Sequence, residues 1–144
     1  KTDESRLTEI LKDPYFEVSF PKSLDRFDFS YKIVEGMSIE DGAATLTALV
    51  GASIGKGLDL LPIRPTKLIV SGGGRKNPTM MKEISSRANV KVETTDKYSW
   101  RGDAIEAECF AFLAARTLAN FPISYPKTTG VLKPTTGGII AYPA

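Results

Sequence analysis

Apolar positions along this chain recur with helical and extended periods in alternation. Over residues 3–12, Leu7, Ile10 and Leu11 share one face at helical spacing, and Asp13-Pro14 ends the pattern. A short helix is predicted there. The stretch 15–34, with Pro21-Lys22-Ser23 and then Phe27 and Phe29, follows no single period and predicts no regular element. Ser38 with Asp41 three residues later is a capping pair. Ile39, Ala43, Leu46, Val50 and Ile54 then recur on one face, which predicts a helix over 39–58 with that face inward. A proline-rich link over 60–65 leads into Lys67-Leu68-Ile69-Val70, whose apolar run predicts a short buried strand.

Beyond a glycine turn, Asn77-Pro78 predicts a helix start, because proline is tolerated at the first helical position, and Met80, Met81 and Ile84 point inward from it. A strand over 90–93 follows. A longer helix over 103–118 carries Ile105, Cys109, Phe112 and Leu113 on its apolar side and is closed by Phe121-Pro122. The tail runs through Thr135-Thr136-Gly137-Gly138 to the apolar residues 139–142. Strands alternating with helices predict an α/β layer structure with at least some parallel strand pairs. No linker is long enough to divide the 144 residues, so one domain is expected, burying about 68–70% of the unfolded surface.

Composition narrows the partners. The 42% hydrophobic and 25% charged residues are ordinary for a globular domain. The net charge of +2 comes from scattered Lys and Arg, which argues against nucleic acid. No signal-like start and no apolar run of about 20 residues occurs, so no membrane span is expected. The single cysteine, Cys109, lies in an apolar helical stretch, where a buried free thiol is expected in a reducing, cytoplasmic compartment. Histidine is absent, so acid–base chemistry would fall to carboxylates or lysine, and no imidazole or thiolate metal cluster can form.

The candidate chemistry centres on Ser71-Gly72-Gly73-Gly74, set between the strand at 67–70 and the helix at Asn77-Pro78. Glycines let a ligand approach the backbone, while free N–H groups and the helix dipole favour an anion or nucleotide. A tight corner would use the same residues. Arg75 and Lys76 either add positive charge beside the turn or stand as solvated loop residues. A dinucleotide fingerprint would need glycine where Asn77 stands. Gly51 to Gly55-Lys56-Gly57 lacks the spacing and the Ser or Thr of a P-loop. Asp103 and Glu106, three apart, would share a face near a helix start, where they could accept hydrogen bonds from sugar hydroxyls or simply complement the dipole. Pro21-Lys22-Ser23, Thr94-Thr95-Asp96 and Thr128-Thr129-Gly130 are polar loops that suit a cleft or an ordinary turn.

Taken in order, the segments Asp13-Pro14-Tyr15-Phe16 with Pro21-Lys22-Ser23, Val70-Ser71-Gly72-Gly73-Gly74 with Asn77-Pro78-Thr79-Met80-Met81, Thr94-Thr95-Asp96, Asp103-Ala104-Ile105-Glu106-Ala107 and Gly138 to Pro143-Ala144 span nearly the whole chain. This series resembles the C-terminal portion of anhydro-N-acetylmuramic acid kinases. The resemblance implies the C-terminal half of an actin-like ATPase (ribonuclease H-like) fold, with a mixed sheet flanked by helices. It also implies ATP and Mg2+ as cofactors, and phosphorylation of 1,6-anhydro-N-acetylmuramic acid at O6 with hydrolytic opening of the anhydro ring during cell-wall recycling.

On the same resemblance, Gly72, Gly73, Gly74 and Asn77 match the nucleotide-contacting turn. Glu106 matches a sugar-holding glutamate, and Asp103 accompanies it. No catalytic residue is expected in this chain, since the resemblance assigns the phosphate-binding loop and the general base to a missing N-terminal half, which is also the implied partner. A homodimer is compatible with the resemblance. Arg75-Lys76 departs from the Ala-His common in that family. The alternatives from other classes are another actin-like sugar or carboxylate kinase and a non-catalytic nucleotide-binding or assembly module.

Overall fold

A computed structural model describes residues 1–25, 28 and 31–142, with Tyr31 described by its backbone alone. The phenylalanine pair at 27 and 29 and the closing Pro143-Ala144 lie outside the described residues. The chain divides into two compact units, Lys1–Gly102 and Asp103–Ala144, each described by itself.

In the first unit, helix α1 spans Glu4–Ile10, with the Asp3 carboxylate accepting from the Arg6 N–H. Short 3-10 turns at Pro14–Glu17 and Tyr31–Val34 occupy the stretch without a clear period. Helix α2 runs over Ile39–Asp59 and is capped by Ser38, whose hydroxyl accepts from the Asp41 N–H at 3.1 Å. Strand β1 (Lys67–Val70), helix α3 (Pro78–Arg87) and strand β2 (Lys91–Thr94) complete a β-α-β unit. The strands pair in parallel with Val70 opposite Thr94, as a helical crossover between them requires.

The inward face of α2 differs from the predicted one. Ile39 is 88% exposed, and Ala43, Leu46 and Val50 are exposed too, whereas Gly42, Thr45, Ala48, Leu49, Gly51, Gly55 and Leu58 are buried. The reason is close backbone packing. A methyl group added at Gly51 would stand 2.5 Å from the Glu83 carbonyl oxygen, and one at Gly55 would stand 3.0 Å from that of Arg87. α3 therefore approaches α2 across a stripe of small residues. These two glycines, excluded as a P-loop by spacing, serve helix packing.

Two apolar clusters hold this unit together. Leu7, Ala48 and Leu49 pack with Ile10, Leu11, Ile33 and Ala52, and Leu58, Ala88 and Val90 pack with Ile54, Leu68 and Val92. Burying a side chain such as Leu7 stabilises by about 1.5–3 kcal/mol. Charged groups tie the helix ends: Arg87 makes a two-pronged bond to Glu4 at 3.0 and 2.6 Å, and Arg64 donates to the carbonyls of Ala88 and Asn89 just beyond α3. β1 is not buried as predicted, since alternate residues are exposed and Ile69 is 38% accessible. The expected mixed sheet is, among the described residues, this one parallel pair, with an isolated antiparallel bridge between Ser124 and Thr135 elsewhere.

The second unit contains helix α4 (Ile105–Leu118), the single turn α5 (Pro126–Thr129) and an irregular tail. None of its described residues is buried. The predicted apolar side of α4 is only partly covered: Ile105 and Leu113 are half-buried, whereas Phe112 is 60% exposed. Cys109 is exposed, against the buried thiol expected. Among the described residues no helix is long and apolar enough to cross a membrane.

Candidate nucleotide and sugar site

Both strands end on the candidate loops. Because β1 and β2 run parallel and Val70 lies opposite Thr94, the glycine turn after β1 and the segment Thr94-Thr95-Asp96, which begins on the last residue of β2, leave the same edge of the sheet. The carboxyl edge of parallel strands is where open α/β sheets bind ligands.

The turn itself is exposed. Gly72 adopts φ 75° and ψ −179°, a conformation that only glycine takes readily, and its N–H donates to the Gly102 carbonyl at 3.0 Å. A 3-10 turn over Gly73–Lys76 then leads to α3. A methyl group at Gly72 or Gly73 would meet nothing within 4 Å, so the space above the turn is open. Among the described residues the N–H groups of Gly73 and Gly74 have no partner, which leaves two neighbouring donors for an anion.

The start of α3 supplies fewer free donors than expected. Asn77 caps it, its side-chain oxygen accepting from the N–H groups of Thr79 and Met80 at 3.0 and 3.1 Å, while Pro78 has no N–H and the Met81 N–H bonds the Asn77 carbonyl. The dipole still favours negative charge there, but the hydrogen bonds must come from the glycines. With its oxygen committed to the cap, Asn77 retains its side-chain NH2 group for a ligand.

Arg75 is neither a solvated loop residue nor a charge projecting from the turn. Its side chain is 5% exposed. It forms a two-pronged bond with Asp96 at 2.8 and 3.2 Å and donates to the Gly72 carbonyl at 2.9 Å. The Arg75 guanidinium holds the Asp96 carboxyl below its usual range. The sequence named both residues separately; the parallel strand pairing that joins them was the missing link. Nearby on β2, Glu93 is buried and surrounded by Lys97, Tyr98, Lys91 and Lys67, the last two at 3.0 and 3.6 Å. Hydrogen bonds from Lys97, Tyr98 and Lys91 push its carboxyl far below the ordinary glutamate range.

The proposed sugar contacts lie in the second unit. Glu106 is exposed in the first turn of α4. Asp103 is not on that helix, as the spacing had suggested, but in the turn before it, and Ala104 occupies the cap position. For magnesium, the described residues bring together no group of three or more Asp, Glu, His or Cys side chains, so no metal ligands are assigned to them.

A parallel β-α-β unit with an open glycine turn at its carboxyl edge makes this an α/β chain. A model of the family described as anhydro-N-acetylmuramic acid kinase matches residues 1–143, and the chain belongs to that family. It is 55% identical over 141 residues to the anhydro-N-acetylmuramic acid kinase of Rhizobium rhizogenes, covering 98% of this chain and 38% of that protein. It is 57% identical over 138 residues to the same-named protein of Brucella anthropi (96% and 37%), and 56% identical over 139 residues to that of Mesorhizobium japonicum (96% and 38%). The chain thus spans a little over a third of the length of these curated relatives.

Proposed function

We propose that this chain is the C-terminal, nucleotide- and sugar-contacting half of a two-domain, actin-like ATP-dependent kinase, with both compact units belonging to that half. The substrate of the whole protein is 1,6-anhydro-N-acetylmuramic acid, phosphorylated at O6 as water opens the anhydro ring, in the bacterial cytoplasm. The observation that carries this is the open glycine turn at the carboxyl edge of the parallel strands, with the N–H groups of Gly73 and Gly74 available.

Gly72 to Gly74 let the nucleotide reach the backbone without side-chain interference, and the two N–H groups donate to its negatively charged oxygens. Asn77 adds its side-chain NH2 group. Glu106, with Asp103 nearby in sequence, accepts hydrogen bonds from sugar hydroxyls and fixes the acceptor's orientation. ATP supplies the phosphoryl group when bound. Magnesium placement and the general base that activates the attacking water belong to the upstream half.

The test is a phosphorylation assay of the anhydro sugar with this chain alone and with the complete reading frame that encodes it. Turnover is expected only from the complete protein. Robust turnover by the 144 residues alone would overturn the division of roles. In the complete protein, Glu106→Ala is expected to raise the KM for the anhydro sugar or lower kcat while leaving ADP affinity unchanged, measured by initial rates and calorimetry. Unaltered sugar kinetics would favour a kinase with another acceptor.

A further inference from the structure

The Gly72 peptide is gripped on both sides. Its N–H is held by the Gly102 carbonyl at 3.0 Å, and its carbonyl accepts from the Arg75 N–H at 3.3 Å and from the Arg75 guanidinium at 2.9 Å. The guanidinium is held in turn by both oxygens of Asp96. Gly102 closes the arrangement by having no side chain: a methyl group there would lie 2.4 Å from the Thr95 hydroxyl and 2.5 Å from Arg75 Nε. Thr95, whose hydroxyl faces the same spot, is buried at 2% exposure. Every one of these residues lies within the first compact unit.

Three successive glycines would otherwise sample a wide range of conformations, since glycine loses more backbone freedom on ordering than any other residue. A turn fixed before the ligand arrives binds more tightly than one that must be ordered by it. Arg75 is poorly placed to serve as a phosphate ligand, being 5% exposed and directed at Asp96 and Gly72. We infer that Arg75 and Asp96 are a positioning pair that locks the Gly72 peptide so that Gly73 and Gly74 present their N–H groups to the nucleotide, an inference that rests on the nucleotide reading of the turn. Lysine cannot reproduce it, because a single ammonium cannot span both carboxylate oxygens and reach the Gly72 carbonyl in one plane.

The experiment uses the complete reading frame with Arg75→Lys, Asp96→Asn, the exchanged pair Arg75→Asp with Asp96→Arg, and Gly73→Val. Calorimetry gives the Kd for ADP, initial rates give KM for ATP and for the sugar, and thermal denaturation reports folding. Arg75→Lys and Asp96→Asn are expected to weaken ADP binding and raise the KM for ATP about tenfold, with the sugar KM within about twofold. The exchanged pair should recover part of that loss.

Nucleotide affinity within about twofold of the parent in either single variant overturns the positioning role. So does a parallel rise in both KM values that tracks a lower melting temperature, which marks a general structural role. Asp96 is more than half exposed, so Asp96→Asn keeps the test decisive if Arg75→Lys does not fold. Gly73→Val separates the two ideas, since its side chain enters open space above the turn. If Gly73→Val leaves ADP binding intact, the nucleotide reading fails. If it weakens binding while Arg75→Lys and Asp96→Asn do not, only the positioning pair fails.

Discussion

Asp96 and Glu93 are two carboxylates one helical turn apart in sequence, and both are held ionised by neighbours. The Arg75 guanidinium lowers the first, and hydrogen bonds from Lys97, Tyr98 and Lys91 lower the second. A carboxyl whose pKa is depressed by folding adds stability that is complete above its unfolded value and disappears as pH falls through its folded value. The melting temperature should therefore drop steeply as pH is lowered from about 5 toward 2, a window that opens just above the ordinary carboxylate pKa values and continues below them. In Glu93→Gln the decline should be shallower, and the variant should already melt lower at pH 7, where three lysines have lost their shared counter-charge. A parallel decline in parent and variant, followed by circular dichroism, would contradict this role for Glu93.

At the level of elements, the decisive contact is the close approach of α3 to the small-residue stripe of α2. Replacing a helical glycine by alanine ordinarily stabilises by about 1 kcal/mol. At Gly51 the added methyl group would stand 2.5 Å from a backbone oxygen that cannot rotate away, so the expected net effect is a loss of about 1–3 kcal/mol. Gly57 is the opposite case. Its nearest neighbour would be the end of the Phe20 ring at 3.9 Å, so Gly57→Ala should gain up to about 1 kcal/mol. Urea denaturation of the two variants reads both signs. Equal shifts would show that propensity rather than packing governs α2.

This contact also explains what the sequence made legible. Helix existence, the Ser38 cap, the Asn77-Pro78 start and the position of β1 followed from local rules and hold in the structure. The inward face of α2 did not follow, because most of its periodic large apolar residues face solvent and the contact with α3 is made through Gly51 and Gly55. Of the candidate site, the glycine turn was legible from its local composition. Its clamp was not, since Arg75, Asp96 and Gly102 meet only through the strand pairing, a non-local fact that no window of residues contains.

Across the whole molecule the two units differ in what holds them. The first has two apolar clusters, whereas no described residue of the second is buried, and Phe110, Phe112, Leu118 and Ile139 are all more than half exposed. Amide protection tracks buried apolar contact. In this chain taken alone, hydrogen exchange over α4 should be faster than over α2 and α3 by orders of magnitude. Equal protection of α2 and α4 in the chain alone would rule out this uneven distribution of stability.

The clamp on Gly72 has a consequence for folding. β1 and β2 pair with Val70 opposite Thr94, and only that alignment brings Asp96 to Arg75 at 2.8 Å. Sliding one strand by a single residue would shift Asp96 by about 3.3 Å along the sheet and turn alternate side chains to the opposite face. The two-pronged bond between the Arg75 guanidinium and Asp96 would then be lost. A chain that pairs its strands one step out of place thus forfeits this bond, and the residues that shape the turn also favour the correct register.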